Sequence, residues 1–123
     1  MTATPLVEAE CPAAAPAPAG TSRPAVSIVI PSWNGRHLLE RYLPAVLAEA
    51  DAYHRLTGAA AEVLVVDDGS TDDTAAYLAR TAAAGVRVTA RRDNGGFSAA
   101  CNTGFAAAAH PVVVLLNNDV EPE

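Results

Sequence analysis

The chain alternates short strand-like runs with longer segments of helical character. Residues 26–30, 63–66 and 112–116 are apolar runs rich in β-branched residues, as is typical of buried strands, and residues 86–89 form a further strand between the last two. Strands joined by helices make right-handed crossovers and parallel sheets that are covered on both faces. We therefore predict an α/β fold with a parallel sheet of about four strands and flanking helices.

Three helices are predicted between these strands. Leucines and a tyrosine recur at helical spacing over residues 38–47, where Pro44 predicts a kink or a break. Ser70 and Asp73 match a capping box that opens a helix over residues 71–84, with Gly85 as its stop. Alanine content predicts a helix over residues 97–109, although Gly104 within it disfavours that helix.

Residues 1–24 are predicted to form a flexible leader, because they are rich in alanine and proline and lack apolar periodicity. Residues 25–123 then form the folded domain. No basic residue precedes an apolar block, and no apolar run reaches the roughly 18 residues that a membrane-spanning helix needs. We expect a soluble, cytoplasmic chain in which Cys11 and Cys101 are free thiols rather than a disulfide.

Charge and composition exclude several classes of function. The formal net charge of -6 argues against a nucleic-acid partner, which needs clustered cations. The basic residues are all arginines, so the chain has neither the lysine of a phosphate-binding Walker loop nor a lysine for Schiff-base chemistry. The histidines show no metal-ligand spacing; they are His37, His54 and His110.

Polar and glycine-rich segments follow the strands, at residues 31–34, 67–70, 91–96 and 117–119. Because parallel strands end at one edge of a sheet, we expect these segments to lie together, where such sheets bind ligands. The first of them rules against a dinucleotide-binding domain, since it is Pro-Ser-Trp-Asn-Gly rather than Gly-x-Gly-x-x-Gly. A receiver domain is disfavoured because its acidic pair would follow the first strand and it needs a lysine.

The same segments resemble family-2 glycosyltransferases of the GT-A fold, which act with inversion. Residues 26–34 look like the opening of that family, and residues 65–74 look like its second-strand signature. Residues 94–104 are similar to its Asn-x-Gly to Asn-x-Gly segment, and residues 115–119 to its DxD position. The resemblance covers roughly residues 25–122, and its Asn-Asn-Asp variant looks like the rhamnosyltransferase-like subgroup.

The resemblance implies a Rossmann-like donor site for a nucleoside-diphosphate sugar, with a UDP or dTDP carrier. Asp68 would accept the imide hydrogen of the base, and Trp33 would contact the ring, whereas Asp67 is better explained as a turn-forming or capping carboxylate. The predicted donor-binding residues are Pro31, Ser32, Trp33, Asn34, Asp68, Asn94, Gly95, Gly96, Asn117 and Asn118. Arg91 and Arg92 would either contact the diphosphate or form a solvated surface pair.

A divalent cation, Mg²⁺ or Mn²⁺, is expected as cofactor because a leaving diphosphate must be neutralised. Asp119 is its predicted ligand, while Asn117 replaces the aspartate that commonly opens a DxD motif. The expected reaction moves a hexose or deoxyhexose to a hydroxyl of a glycan or lipid-linked acceptor, as in cell-envelope polysaccharide biosynthesis.

The catalytic general base is not identified in this sequence, because the resemblance implies a carboxylate downstream of Glu123. We therefore expect the domain to be the donor-binding front half of the enzyme, truncated after the DxD-like position, and inactive by itself. The alternative is a non-catalytic nucleotide-sugar-binding module. Membrane association of the full-length parent is left open.

Overall fold

The computed structural model describes residues 23–81 and 85–119, which form four strands and three helices. Most of the predicted leader, up to residue 22, lies outside the described residues, as does Cys11. The strands are β1 (Val26–Ser32), β2 (Ala61–Asp68), β3 (Arg87–Arg91) and β4 (Val112–Leu115), and the helices are α1 (Arg36–Thr57), α2 (Thr74–Thr81) and α3 (Phe97–Ala107).

All strand pairs are parallel, in the order β3-β2-β1-β4. This confirms the α/β fold with a four-stranded parallel sheet. The chain builds outward from β1 to β3 in one direction and then crosses back to place β4 on the other side of β1. The strand order therefore reverses between β1 and β4, which is where a ligand crevice is expected in such sheets.

The alternation of side chains along β1 and β2 feeds two core layers, one on each face of the sheet. On one face, Ile30, Val63 and Val65 pack with the buried side of α1 and with Leu78 of α2. On the opposite face, Val29, Leu64 and Val66 pack with Ala100 of α3. Both faces of the central strands are thus covered, as predicted.

Helix α1 does not break at Pro44 but continues from Arg36 to Thr57. Its buried residues, Leu39, Leu43, Val46 and Ala50, share one face, whereas Pro44 is exposed. Burial of that face offsets the missing backbone hydrogen bond, and the residue whose carbonyl group loses it, Glu40, is exposed. The helix ends at Gly58, whose left-handed backbone lets its N–H reach the carbonyl oxygen of His54 at 2.8 Å.

The predicted capping box of α2 is wrong, because the helix begins at Thr74 rather than at residue 71. Asp72 instead accepts a hydrogen bond from the Thr74 N–H at 2.9 Å. The hydroxyl group of Ser70 is already bound elsewhere, so it cannot cap the helix. The predicted end of this helix at residues 82–84 lies outside the described residues.

Gly104 lies inside α3, and its role is close packing. A Cβ atom at this position would lie 2.3 Å from Cγ1 of Val29 and 3.1 Å from Cγ2 of Val66. Glycine therefore lets α3 press directly on the sheet. Cys101, on the same helix, is a buried free thiol, and burial raises its pKa.

Within the two described stretches, no helix combines the length and the apolar character needed to cross a bilayer.

Candidate nucleotide-binding site

A pocket of about 450 Å³ opens at the carboxyl ends of the strands, beside the β1–β4 switch point. It is lined by all but one of the predicted donor-site and metal-site residues, Gly95 being the exception. The additional lining residues are Gly35, Leu38, Phe97 and Ala100. The carboxyl-end rule thus brings together side chains from four separate loops.

The pocket forms where β1 and β4 part. β4 pairs with β1 only as far as Val29, and the Leu116 N–H then donates to the Val29 carbonyl oxygen at 2.9 Å. Because backbone groups alternate in direction along a strand, Pro31 also faces the β4 side, where no strand remains to receive a hydrogen bond. Pro31 therefore removes no hydrogen bond between strands. As a result, β1 continues beyond the predicted end to Ser32, which pairs with Asp67.

Asp68 lines the pocket, is only 3% exposed and accepts three hydrogen bonds. Its Oδ1 atom accepts hydrogen bonds from Arg91 Nε at 2.7 Å and from the Gly95 N–H at 3.1 Å. Its Oδ2 atom accepts one from the Gly96 N–H at 2.9 Å. Asp68 therefore fixes the loop that leads from β3 into α3.

The protonation of Asp68 follows from these bonds. Burial raises the pKa of the carboxyl group, but the N–H groups of Gly95 and Gly96 and the guanidinium group of Arg91 outweigh it. The pKa consequently lies below its ordinary value. Asp68 is an ionised hydrogen-bond acceptor at neutral pH.

Arg91 lies behind the pocket wall and does not line it. Its Nε atom bonds Asp68, and another guanidinium nitrogen donates to Oγ1 of Thr103 at 2.8 Å. This internal ion pair matches neither of the roles considered for Arg91, a diphosphate contact or a solvated surface pair. Arg92 is exposed.

Asn34 links the loop after β1 to the loop after β2. Its Oδ1 atom accepts from the Thr71 N–H at 2.7 Å and from the Asp72 N–H at 3.2 Å, and its Nδ2 atom donates to Oγ1 of Thr71 at 3.2 Å. Its backbone φ is 49°, and it is the sole non-glycine residue of the described stretches with a positive φ. The amide group of Asn34 thus holds two loops together, although the residue also lines the pocket.

The β4 side of the pocket is joined to β1 by a close approach. Nδ2 of Asn118 donates to Oγ of Ser32 at 3.0 Å. A Cβ atom on Gly35 would lie 2.4 Å from that same nitrogen, so only glycine leaves room for it. This explains Gly35, which we did not predict as a site residue.

Asp119 is exposed at the pocket rim, next to Asn117 and Asn118. No group of three or more His, Cys, Asp or Glu side chains suited to a metal occurs in the described stretches. One carboxylate with oxygen-bearing neighbours still fits Mg²⁺ or Mn²⁺, because these ions bind through one or two carboxylates plus substrate phosphates and water. None of the three histidines lines the pocket.

Two aromatic side chains lie in the pocket mouth. Trp33 is 51% exposed and Phe97 is 58% exposed. Phe97 and Leu38 were not predicted as site residues, although each had a signal. Phe97 directly follows the glycine pair at the start of α3, and Leu38 stands one position off the buried face of α1 that contains Leu39.

Comparison with known proteins identifies the class. The profile of "Glycosyl transferase family 2" matches residues 27–123, so the chain belongs to this family. An uncharacterised glycosyltransferase of Mycobacterium tuberculosis is 40% identical over 95 residues, which cover 77% of this chain and 37% of that protein. An undecaprenyl-phosphate 4-deoxy-4-formamido-L-arabinose transferase of Sodalis glossinidius is 38% identical over 100 residues, covering 78% of this chain and 29% of that protein.

A similar solved structure is the mannosyltransferase PcManGT from Pyrobaculum calidifontis, in complex with GDP-Man and Mn²⁺. The TM-score is 0.70 with 29% sequence identity, over 85% of this chain and 30% of that one. The GT-A fold implied by the sequence is confirmed. The chain spans about a third of the length of the relatives it matches.

Proposed function

We propose that the pocket binds the nucleoside diphosphate of a sugar donor through a pyrimidine base, uracil or thymine. The domain would be the donor-binding part of a glycosyltransferase that moves the sugar to a glycan or lipid-linked acceptor. Support comes from family membership and from the chemistry of the lining residues. The name of the Sodalis relative, an undecaprenyl-phosphate transferase, supports a lipid-linked acceptor.

The hydrogen bonding of Asp68 carries the preference for a pyrimidine. A carboxylate offers about four lone-pair positions. Three are filled, by Arg91, Gly95 and Gly96, which leaves one position on Oδ2. The imide of uracil or thymine presents a single N–H to such an acceptor, whereas guanine presents two adjacent donors. The one remaining position therefore matches a pyrimidine better than guanine.

A divalent cation would be held by Asp119 together with the diphosphate oxygens. When bound, such an ion supplies Lewis-acid neutralisation of the leaving diphosphate. The Mn²⁺ in the PcManGT structure supports this assignment. Asn117 and Asn118, which directly precede Asp119, would help to orient the donor.

Inversion at the anomeric carbon requires a base that deprotonates the acceptor hydroxyl. Both pocket carboxylates have roles other than that of a general base. Asp68 holds the glycine loop, and Asp119 would face the diphosphate. We assign the base to a part of the parent enzyme outside this domain, and the rhamnosyltransferase-like donor preference remains a prediction.

The direct test is titration of the full chain with UDP, dTDP and GDP, with and without Mn²⁺, by calorimetry. We expect UDP and dTDP to bind more tightly than GDP. Asp68→Asn should lower the affinity for pyrimidine nucleotides by about 10-fold or more, with or without metal. The reason is that a hydrogen bond to a charged group contributes about 1.5–3 kcal/mol. Asp119→Ala should remove only the part of the nucleotide affinity that depends on Mn²⁺.

Glu62→Gln is the matched control for Asp68→Asn, because it neutralises a similarly bonded carboxylate at the other end of β2. Absence of nucleotide binding to the wild-type chain would overturn the proposal. Tighter binding of GDP than of UDP would overturn the pyrimidine assignment alone.

A further inference from the structure

Asp67 and Asp68 are adjacent at the end of β2 but serve opposite walls of the pocket. Both are buried, at 4% and 3% exposure, and successive side chains of a strand point in opposite directions. Asp68 holds the wall formed by Gly95 and Gly96. Asp67 does not line the pocket, and its bonds run toward the wall that contains Trp33.

Ser70 connects Asp67 to that wall. Its hydroxyl group donates to Oδ1 of Asp67, and its own N–H approaches the same oxygen at 3.2 Å. Because a carboxylate only accepts, the hydroxyl hydrogen must point to Asp67. The hydroxyl oxygen then accepts the backbone N–H of Asn34 at 2.9 Å. The carboxylate of Asp67 thus orients the Ser70 hydroxyl group so that its oxygen is available to the Asn34 N–H.

This relay restrains a turn with an uncommon backbone conformation. Asn34 is left-handed, a conformation that few non-glycine residues adopt, although asparagine tolerates it better than most, and contacts that restrain the residue stabilise it further. The bond from Ser70 and the amide contacts to Thr71 and Asp72 supply that restraint. Trp33, the residue before it, is about half exposed and lines the pocket.

We propose that Asp67 and Ser70 are positioning residues that hold the Trp33 side of the pocket in its binding geometry, acting through Asn34. The ligand that benefits is the nucleotide of the proposed function, on which this part of the inference rests. Neither residue touches the ligand itself.

The test uses Trp33 as its own reporter, since it is the single tryptophan of the chain. Ser70→Ala should raise the rate at which acrylamide quenches Trp33 fluorescence and lower the affinity for UDP by about threefold to tenfold, as for loss of one hydrogen bond. Ser70→Thr retains the hydroxyl group and should restore both properties.

Ser27→Ala is the matched control. It also removes a buried hydroxyl group bonded to a carboxylate, that of Glu62, but on the opposite rim of the sheet. It should lower the melting temperature about as much as Ser70→Ala while leaving Trp33 quenching and UDP affinity unchanged. If Ser70→Ala does not fold, Asn34→Gly, which tolerates the left-handed backbone but loses the amide contacts, should give the same gain in quenching.

The inference would be overturned if Trp33 were quenched in Ser70→Ala at the wild-type rate. It would also be overturned if Ser27→Ala changed the quenching rate and the UDP affinity as much as Ser70→Ala does. Failure of the wild-type chain to bind any nucleotide would defeat the proposed function instead, and the quenching comparison would still decide the role of Ser70.

Discussion

The two ends of β2 each hold a carboxylate that accepts three hydrogen bonds; Asp68 is buried and Glu62 is partly buried. At the amino end, Glu62 accepts from Oγ of Ser27 at 2.5 Å, from the Ala109 N–H at 2.7 Å and from a guanidinium nitrogen of Arg87 at 2.5 Å. At the carboxyl end, Asp68 accepts from an arginine of the same strand β3 and from two loop N–H groups. The same chemical device thus occurs twice along one strand.

The difference lies in what surrounds the carboxylate. Glu62 ties β1, β3 and the α3–β4 connection together, and it lies outside the pocket. Asp68 is bonded by a glycine pair, whose backbone approaches without side chains, and its remaining acceptor position belongs to the pocket wall. A carboxylate with three hydrogen bonds therefore stabilises the fold at one rim and prepares a binding surface at the other.

The largest difference between the two ends of β2 is expected in stability, and Glu62→Ala tests it. The substitution leaves the buried Ser27 hydroxyl group without its acceptor and frees the exposed Ala109 N–H, and it should cost about 2 kcal/mol of unfolding free energy, since an unsatisfied buried group costs about 1–3 kcal/mol. Chemical denaturation measures this loss. UDP affinity, corrected for the unfolded fraction, should stay at the wild-type value.

Asp51→Ala is the control for Glu62→Ala, because it removes an exposed helical ion pair with Arg55, of a kind that contributes about 0.3–0.5 kcal/mol. A stability loss for Glu62→Ala no larger than that of Asp51→Ala would remove the distinction between a structural rim and an ordinary surface.

A smaller effect is expected from the two arginines. Arg91→Met removes one of the three bonds that fix the Asp68 carboxylate, so the carboxylate can turn a second acceptor position toward the pocket and the preference for UDP over GDP should narrow several-fold. Arg87→Met, on the same strand, should leave that preference unchanged. Both arginines are partly exposed, so each variant should lose only about 1 kcal/mol of stability.

Competition titrations with UDP and GDP measure the preference. An unchanged preference in Arg91→Met would contradict the counting of acceptor positions on Asp68, and an equal change in Arg87→Met would point to a general loosening of the sheet.

The smallest expected effect is on the unfolding free energy at acidic pH. Burial raises the pKa of the Glu62 carboxyl group, but the bonds from Ser27, Ala109 and Arg87 outweigh it, so the pKa lies below its ordinary value, as for Asp68. A carboxyl group with a lowered folded-state pKa contributes stability above its unfolded pKa of about 4, and this is lost as pH falls through the folded value.

We therefore expect the unfolding free energy to decline below about pH 4, and less steeply in Glu62→Gln. Asp51→Asn should decline like the wild type. Denaturation curves collected between pH 7 and pH 2.5 test this. Parallel curves for Glu62→Gln and the wild type would mean that Glu62 contributes nothing to acid unfolding.

The sequence was sufficient to predict the family, the parallel sheet and which segments meet at its carboxyl edge, because these follow from strand periodicity and motif order. Asp68 and Asp119 could be brought to one pocket on that basis. Asn34 as a link between loops, and Arg91 as a residue behind the wall, could not, since these contacts join residues 37 and 23 positions apart.

The failed capping box illustrates the same limit. Ser70 and Asp73 have the correct local spacing, but the buried carboxylate of Asp67 competes for the Ser70 hydroxyl group and binds it. Local motifs predict the bonds that are available, and burial of a neighbouring charge decides which of them form.

The contact of Gly104 with the sheet has a mechanical consequence for the pocket. Helix α3 is a stiff rod, and Gly104 lies seven positions after Phe97, which corresponds to about 10 Å at 1.5 Å per residue. A methyl group at position 104 would collide with Val29 and push the rod outward, while Asp68 retains the N–H of Gly96 at its other end. The helix would pivot rather than translate, so a single methyl group in the core would tilt Phe97 within the pocket.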